Sequence, residues 1–140
     1  MRSCLQVLHF NDVYNIEERS TGGADAEMSI VAGASRFVTA FEQHRMLEKL
    51  VLFSGDLFSP SVLSTHLKGE QMVQVLKSLN VHVSCLGNHD LDFGLAKMQE
   101  LVAKTAPCKW LLSNLYADGR PIGDLDTWIV KEVKLSGAKD

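Results

Sequence analysis

Four residues with metal-ligating or proton-transferring side chains stand just after strand-like apolar runs: Asp12, Asp56, Asn88 and His89. Carboxylate and amide oxygens suit Mg, Mn or Ca, and imidazole adds affinity for Zn, Fe and Mn. Each residue taken alone is also a common turn residue. Their repetition after three separate runs indicates a divalent-cation site instead. One carboxylate between two ligand groups could bridge two ions about 3.5–4 Å apart, an arrangement used for in-line phosphoryl displacement.

The apolar runs before these residues have the length and composition of buried strands: residues 5–10, 50–53 and 81–86, with a fourth run at 109–112. Apolar residues at helical spacing separate the runs, in stretches that begin with Ser29 as the helix N-cap, near Leu67 and at Leu95. Strands that alternate with helices predict an α/β fold with a mostly parallel sheet and packed helices. Ligands bind outside the carboxyl ends of the strands in such a sheet, which is where the four polar residues fall.

The last part of the chain has a different pattern. Residues 128–135 alternate between apolar and polar side chains, which predicts an exposed or edge strand, and Ser136 with Gly137 resembles the start of a hairpin turn. The sequence ends at Asp140 without a returning strand, which would leave backbone groups unpaired. We therefore expect these residues to be part of a domain that is incomplete at its C-terminal end.

The composition is that of one globular domain, because the 140 residues are 46% hydrophobic and 22% charged. The net charge of −3 and the lack of a basic run argue against a nucleic acid or an anionic membrane surface as a partner. No apolar stretch approaches the roughly 20 residues of a membrane span. Residues 1–6 show no secretory signal, so the expected location is the cytoplasm.

Three segments resemble the first motifs of a known family: residues 8–12 (LHFND), 54–56 (SGD) and 87–94 (GNHDLDFG). They are similar to the calcineurin-like metallophosphoesterases and, more narrowly, to the 5′-nucleotidase branch of that family. Residues 33–36 (GASR) and 111–115 (LLSNL) stand where that branch has similar segments. The resemblance covers nearly the whole chain, and the combination of its motifs is highly specific.

The resemblance implies a fold and an activity. The fold would be the N-terminal half of a four-layer α/β/β/α sandwich, with residues 5–140 forming an incomplete phosphoesterase domain and the branch's specificity domain absent. The activity would be metal-dependent hydrolysis of a small-molecule phosphate ester, converting a nucleotide to a nucleoside and phosphate. The cofactors would be two divalent metal ions, for which Mn, Zn, Fe, Mg and Ca all stay open.

Roles for individual residues follow from the same resemblance. Asp12 would bind the first metal ion, Asp56 would bridge both, and Asn88 would bind the second and lie near the phosphate. His89 would contact the substrate and form a catalytic dyad with Asp92. A carboxylate beside one imidazole nitrogen fixes the tautomer and favours the imidazolium. Such an imidazolium could stabilise phosphoryl charge or protonate the leaving oxygen.

Two departures from the family pattern keep an alternative open. Tyr14 stands where the first motif usually has a histidine on the first metal, so its phenol is either a ligand or a packing group at the rim of the site. No histidine follows Asp92, although the family's later motifs supply further histidine ligands. The alternative is therefore a non-catalytic binding protein with a degenerate metal site. A flavodoxin-like or Rossmann nucleotide binder fits worst, because no glycine-rich fingerprint follows the first strand.

Overall fold

The computed structural model describes residues 5–22, 28–43 and 49–133. Its elements in chain order are β1 (Gln6–Phe10), β2 (Glu18–Thr21), β3 (Ser29–Ala32), α1 (Ala34–Glu42), β4 (Lys49–Phe53), α2 (Val62–Leu67), α3 (Glu70–Ser78), β5 (Val83–Cys85), α4 (Leu95–Lys104), β6 (Lys109–Leu111), β7 (Tyr116–Ala117) and β8 (Arg120–Pro121). Short 3₁₀ turns lie at His89–Leu91 and Ile122–Asp124.

A four-stranded parallel sheet forms the centre of the structure, with strand order β1-β4-β5-β6. Each of these strands lies in one of the predicted apolar runs, and helices connect β4 to β5 and β5 to β6. The predicted α/β class with a mostly parallel sheet and packed helices is confirmed. The two antiparallel pairs, β2–β3 and β7–β8, are separate from this sheet.

The core lies on one face of the sheet, where α1, α3 and α4 pack. The ring of Phe10 in β1 lies 4.8 Å from Phe53 in β4 and 5.3 Å from both Phe37 and Phe41 in α1, between ring centroids. Trp110 in β6 is buried at the other side of this cluster. Burying one large apolar side chain contributes about 1.5–3 kcal/mol, so this face holds the strands, and with them the strand ends, in place.

The prediction that Ser29 caps the first helix is wrong. Residues Ser29–Ala32 form strand β3, which pairs antiparallel with β2, and the helix begins only at Ala34. The β-branched pair Ile30 and Val31 suits a strand, and pairing with β2 satisfies its backbone groups. A short apolar run alone does not distinguish these two structures.

Two other expectations also change. The helix predicted to begin near Leu67 is two helices, because Lys68 adopts a left-handed conformation (φ 51°) that ends α2 before α3 begins. Residues 128–133 form no strand, so the edge-strand prediction is wrong for that part, and Trp128 is 72% exposed. Residues 128–133 pair with no strand of the described structure. Near them, Asp126 forms an isolated bridge to Leu111 in β6. Residues 134–137, including the predicted hairpin turn, lie outside the described residues.

Within residues 5–22, 28–43 and 49–133, no helix is long and apolar enough to cross a membrane.

Candidate active site at the strand ends

The predicted site residues follow three adjacent strands of the parallel sheet. Asp12 follows β1, Asp56 follows β4, and Asn88 with His89 follows β5. Backbone hydrogen bonds continue past the strand ends, since Ser54 N donates to Phe10 O (3.0 Å) and Asp12 N donates to Gly55 O (3.1 Å). The sheet therefore brings the loops that carry these side chains to one edge, as the sequence predicts.

Both aspartates at the strand ends have an unusual backbone conformation. Asp12 has φ 55° and Asp56 has φ 62°, in the left-handed region that residues other than glycine seldom adopt. Aspartate tolerates this region better than most residues, at a conformational cost of order 1–3 kcal/mol each. Such strain persists only where the surrounding structure imposes it, and it occurs often at functional sites.

Two glycines let the loops after β4 and β5 touch. A Cβ atom on Gly55 (φ 93°) would lie 2.8 Å from Gly87 Cα, and a Cβ atom on Gly87 would lie 2.6 Å from Asp56 Cγ. Both distances are far below van der Waals contact. Gly87 of the GNHD motif therefore leaves the space that the Asp56 carboxylate occupies, and Gly55 of the SGD motif lets the two loop backbones approach each other.

The Asp56 carboxylate is oriented by the neighbouring loop. The backbone N–H of His89 donates a hydrogen bond to Asp56 Oδ1 over 2.8 Å. The carboxylate to which the family resemblance gives the bridging role is thus hydrogen-bonded to the residue to which the resemblance gives proton transfer. On the next strand end, the Asn11 side-chain amide donates to the Asp12 carboxylate.

His89 and Asp92 form the predicted pair. His89 Nδ1 lies 2.9 Å from Asp92 Oδ2, and because the carboxylate only accepts, Nδ1 carries the proton. This hydrogen bond raises the pKa of His89, partial burial opposes the rise, and the charges of Asp92, Asp56 and Asp12 add to it. The pKa of Asp92 is lowered mainly by the same hydrogen bond. The ring's other nitrogen, Nε2, makes no hydrogen bond with the described residues.

Asp90 is a site residue that the sequence analysis missed. It is 1% exposed, and its carboxylate accepts four backbone N–H groups from the loops after β4 and β5. Burial raises the pKa of Asp90, and these four N–H donors oppose the rise. The sequence carries no signal for this role, because Leu57 and Phe58 are 33 and 32 residues away and meet Asp90 only in the folded structure.

Two other predicted site residues, Asn88 and Tyr14, differ in their exposure. Asn88 is exposed and directly precedes His89, so its amide lies at the same edge of the sheet as the aspartates. Tyr14 is half-buried, and its hydroxyl makes no side-chain hydrogen bond within the described part of the chain. The phenol therefore remains either a ligand or a packing group.

The side chains at this edge fit a divalent cation only in part. Their donors are hard oxygen ligands, two carboxylates and one amide, and glycine leaves space beside the central carboxylate. Over the described ranges, however, no three His, Cys, Asp or Glu side chains form a cluster that could hold a metal ion. The chain thus presents a partial ligand set, with its central member already oriented.

Comparisons with known proteins identify the family of this chain. Residues 5–135 match the family described as calcineurin-like phosphoesterase. The chain is 28% identical over 130 residues to the snake venom 5′-nucleotidase of Crotalus adamanteus, covering 90% of this chain and 22% of the relative. It is 28% identical over 120 residues to the human 5′-nucleotidase, covering 82% and 21%. This chain therefore spans about a fifth of the length of these curated relatives.

Solved structures show the same fold. A 5′-nucleotidase precursor from Thermus thermophilus superposes with a TM-score of 0.68 at 25% identity, over 79% of this chain and 22% of that one. A Haemophilus influenzae NAD nucleotidase superposes with a TM-score of 0.69 at 21% identity, over 86% and 28%. The family match covers nearly all of the chain, and the curated relatives named above are 5′-nucleotidases. The chain belongs to the calcineurin-like phosphoesterases, in the 5′-nucleotidase branch.

Proposed function

We propose that this protein hydrolyses phosphoric monoesters with the help of divalent metal ions, and that its substrate is a nucleotide, which it converts to a nucleoside and phosphate. The observation that carries the proposal is the His89–Asp92 pair, whose imidazole is linked through its own backbone N–H to the Asp56 carboxylate. Similarity to 5′-nucleotidases supports the nucleotide as substrate. We assign residues 5–140 to one phosphoesterase domain as part of this proposal.

Three side chains would hold the ions. Asp12 would bind the first ion, Asp56 would lie between the two, and Asn88 would bind the second. When bound, such ions supply Lewis-acid polarisation of the phosphoryl oxygens and an activated water nucleophile. Mn, Zn, Fe, Mg and Ca are all compatible with these oxygen donors.

His89 would act on the phosphoryl group. Because Asp92 holds the proton on Nδ1, the imidazole presents Nε2 in a fixed orientation, and the raised pKa favours its protonated form. Nε2 can then donate a hydrogen bond to a phosphoryl oxygen or transfer its proton to the leaving alcohol. Positioned acids of this kind contribute about 10²–10⁴-fold to rate.

The test is phosphate release from 5′-AMP by the purified protein with Mn²⁺, Zn²⁺ or Mg²⁺ in turn. We expect His89→Asn and Asp56→Asn each to lower kcat at least about 100-fold, because one removes the acid and the other the central ligand. His66→Asn is the matched control, since His66 is an exposed residue of α2. Activity within about twofold of wild type in both site variants contradicts the proposal, because each removes a group worth far more than that. Ribose 5-phosphate as a second substrate tests the need for a base.

A second candidate function is a non-catalytic binding protein with a degenerate metal site. Tyr14 in place of a ligand histidine favours it, as does the partial ligand set of the described residues. Calorimetric titration with Mn²⁺ separates the two functions. The hydrolase requires Mn²⁺ uptake that Asp56→Asn removes, whereas the binding protein shows no uptake that depends on Asp56.

A further inference from the structure

Asp90 joins the two loops that carry the candidate active site. Its Oδ1 accepts the N–H groups of Leu57 (2.8 Å) and Phe58 (3.1 Å). Its Oδ2 accepts the N–H groups of Asp56 (3.0 Å) and Gly87 (2.9 Å). One buried carboxylate therefore binds the loop after β4 to the turn after β5.

This contact is reciprocal with the one made by Asp56. The backbone N–H of Asp56 donates to Asp90, while the side chain of Asp56 accepts from the N–H of His89. The side chain of each aspartate thus accepts a hydrogen bond from the backbone of the other's loop. A change in the position of the Asp90 carboxylate would move the Asp56 backbone and, with it, the hydrogen bond to His89.

We propose that Asp90 is the positioning residue of this site, which fixes the Asp56 carboxylate relative to His89 without touching substrate. The catalytic part of this inference rests on the proposed function, in which Asp56 is the bridging ligand and His89 the proton donor. Asp90 would keep these two residues in one relative position. The structural part of the inference, that Asp90 orients the Asp56–His89 contact, is independent of that function.

Only a carboxylate can satisfy this arrangement. It accepts at both oxygens, and each oxygen here takes two N–H donors. Asparagine has the same shape but replaces one oxygen with an amide NH₂, which would face two backbone donors in either orientation. Two buried N–H groups would then lack an acceptor, and the loops would shift to find other partners. Glutamate keeps both acceptors on a side chain that is one methylene longer.

The experiment compares Asp90→Asn and Asp90→Glu with Thr105→Val. Thr105 is also buried, and its hydroxyl accepts from Trp110 Nε1 (2.8 Å) and donates to Val102 O (2.7 Å), away from the strand ends. Thr105→Val keeps the side-chain shape and removes these two buried hydrogen bonds. It therefore shows how a loss of stability away from the site affects the measured quantities. Three quantities are measured: hydrogen exchange of the His89 amide relative to that of Phe53, calorimetric Mn²⁺ affinity, and kcat with KM for 5′-AMP.

We expect Asp90→Asn to speed exchange of the His89 amide, to weaken Mn²⁺ binding by at least about tenfold and to lower kcat more than it changes KM. Asp90→Glu should recover part of each loss, and Thr105→Val should change none of the three. An unchanged His89 amide in folded Asp90→Asn protein overturns the inference, as does an equal effect of Thr105→Val.

The failure of the proposed function is recognised separately. If the wild-type protein neither takes up Mn²⁺ nor releases phosphate, the hydrolase proposal fails, and the exchange of the His89 amide alone decides the role of Asp90. Faster exchange in Asp90→Asn than in Thr105→Val then supports the positioning role, and equal exchange rejects it. If Asp90→Asn does not fold, Asp90→Glu is compared with Thr105→Val instead: its longer side chain displaces both acceptor oxygens, so faster His89 exchange than in Thr105→Val supports the role and equal exchange rejects it.

Discussion

Two groups of charged side chains in this protein are held in place by different means. The first is the strand-end site, Asp12, Asp56 and residues 87–92, where backbone N–H groups orient the carboxylates of Asp56 and Asp90. The second is a surface ion cluster between α3 and α4, made of Glu70, Lys97, Glu100 and Lys104. Its members contact one another only through side chains, with N–O distances of 2.5–3.1 Å.

Among the described residues, the surface ion cluster has more ion pairs than the strand-end site, yet it has none of the other features of a site. Its side chains are 22–48% exposed and lie on regular helix faces. The strand-end site has one such pair, but it has left-handed aspartates, a buried acceptor of four N–H groups and two loops in contact. Backbone involvement, rather than the number of ion pairs, distinguishes a preorganised site from a solvated surface.

The largest expected effect comes from filling the space beside Asp56. In Gly87→Ala, the new methyl would lie 2.6 Å from Asp56 Cγ, so the carboxylate or the loop must move. We expect at least about a 100-fold loss of kcat for phosphate release, because catalysis is sensitive to shifts of about 1 Å. Overpacking should also lower the free energy of unfolding by about 1–3 kcal/mol, measured by denaturant titration.

Gly119→Ala is the control for Gly87→Ala. Gly119 has φ 74° with nothing within 4 Å of its added Cβ, so the substitution tests backbone strain without a steric clash. Its activity should stay near that of wild type. An active Gly87→Ala enzyme would show that the close contact of the two loops is not needed for the site.

A smaller loss of kcat is expected when the hydrogen bond between His89 and Asp92 is removed. In Asp92→Asn, the hydrogen bond and charge that raise the pKa of His89 are lost, so that pKa falls toward the ordinary value of 6.5. NMR titration of the metal-free protein measures this shift directly. In the folded wild type the protonated imidazole is stabilised, and this advantage is lost as the pH rises through its raised pKa. In the pH profile of phosphate release, the decline on the alkaline side should therefore occur at lower pH in the variant.

The expected loss of kcat in Asp92→Asn is about 10–100-fold, as for other partners that orient an active-site histidine. Asp118→Asn is a suitable control, since it removes an exposed carboxylate in the turn between β7 and β8. An unchanged pKa of His89 in Asp92→Asn would contradict the predicted role of the pair.

The smallest effect is expected in the surface ion cluster. Glu70 accepts from Lys104 and Lys97, and these hydrogen bonds lower its pKa to about 2. Because the folded pKa is depressed, Glu70 stabilises the fold above pH 4.5, and this contribution is lost as the pH falls toward 2. Solvent screening limits it to about 1 kcal/mol or less at these exposures.

Glu70→Gln should therefore be slightly less stable than wild type at pH 7, equally stable near pH 2, and unchanged in phosphate release. Denaturant titrations at pH 7, 4.5 and 2 measure this convergence, with Glu17→Gln, an exposed carboxylate on the loop before β2, as the control. A loss of activity in Glu70→Gln as large as that in Asp92→Asn would erase the distinction between the two regions.

Much of the sheet and helix α4 were predictable from the sequence, whereas strand β3 and the segment after Asp126 were not. The strand runs at β1, β4, β5 and β6 are apolar enough to identify, because a buried parallel strand needs apolar residues on both faces. Ser29 in β3 and the segment after Asp126 were assigned wrongly, because their structure depends on which strand lies nearby. A local pattern carries no information about the presence of such a neighbour.

The candidate site also contains residues that were predictable from the sequence and one residue, Asp90, that was not. The types and positions of Asp12, Asp56, Asn88 and His89 were sufficient to predict a divalent-cation site at one edge of a parallel sheet, because side-chain chemistry is a property of the residue itself. The hydrolytic activity and the role of Asp92 were implied by the family resemblance. The role of Asp90 was not visible, because its four partners are backbone N–H groups that come together only when β4 and β5 are adjacent. The sequence by itself determined which groups are available for chemistry. The tertiary structure alone decided which of them are held in a fixed geometry, since that depends on contacts between loops 33 residues apart along the chain.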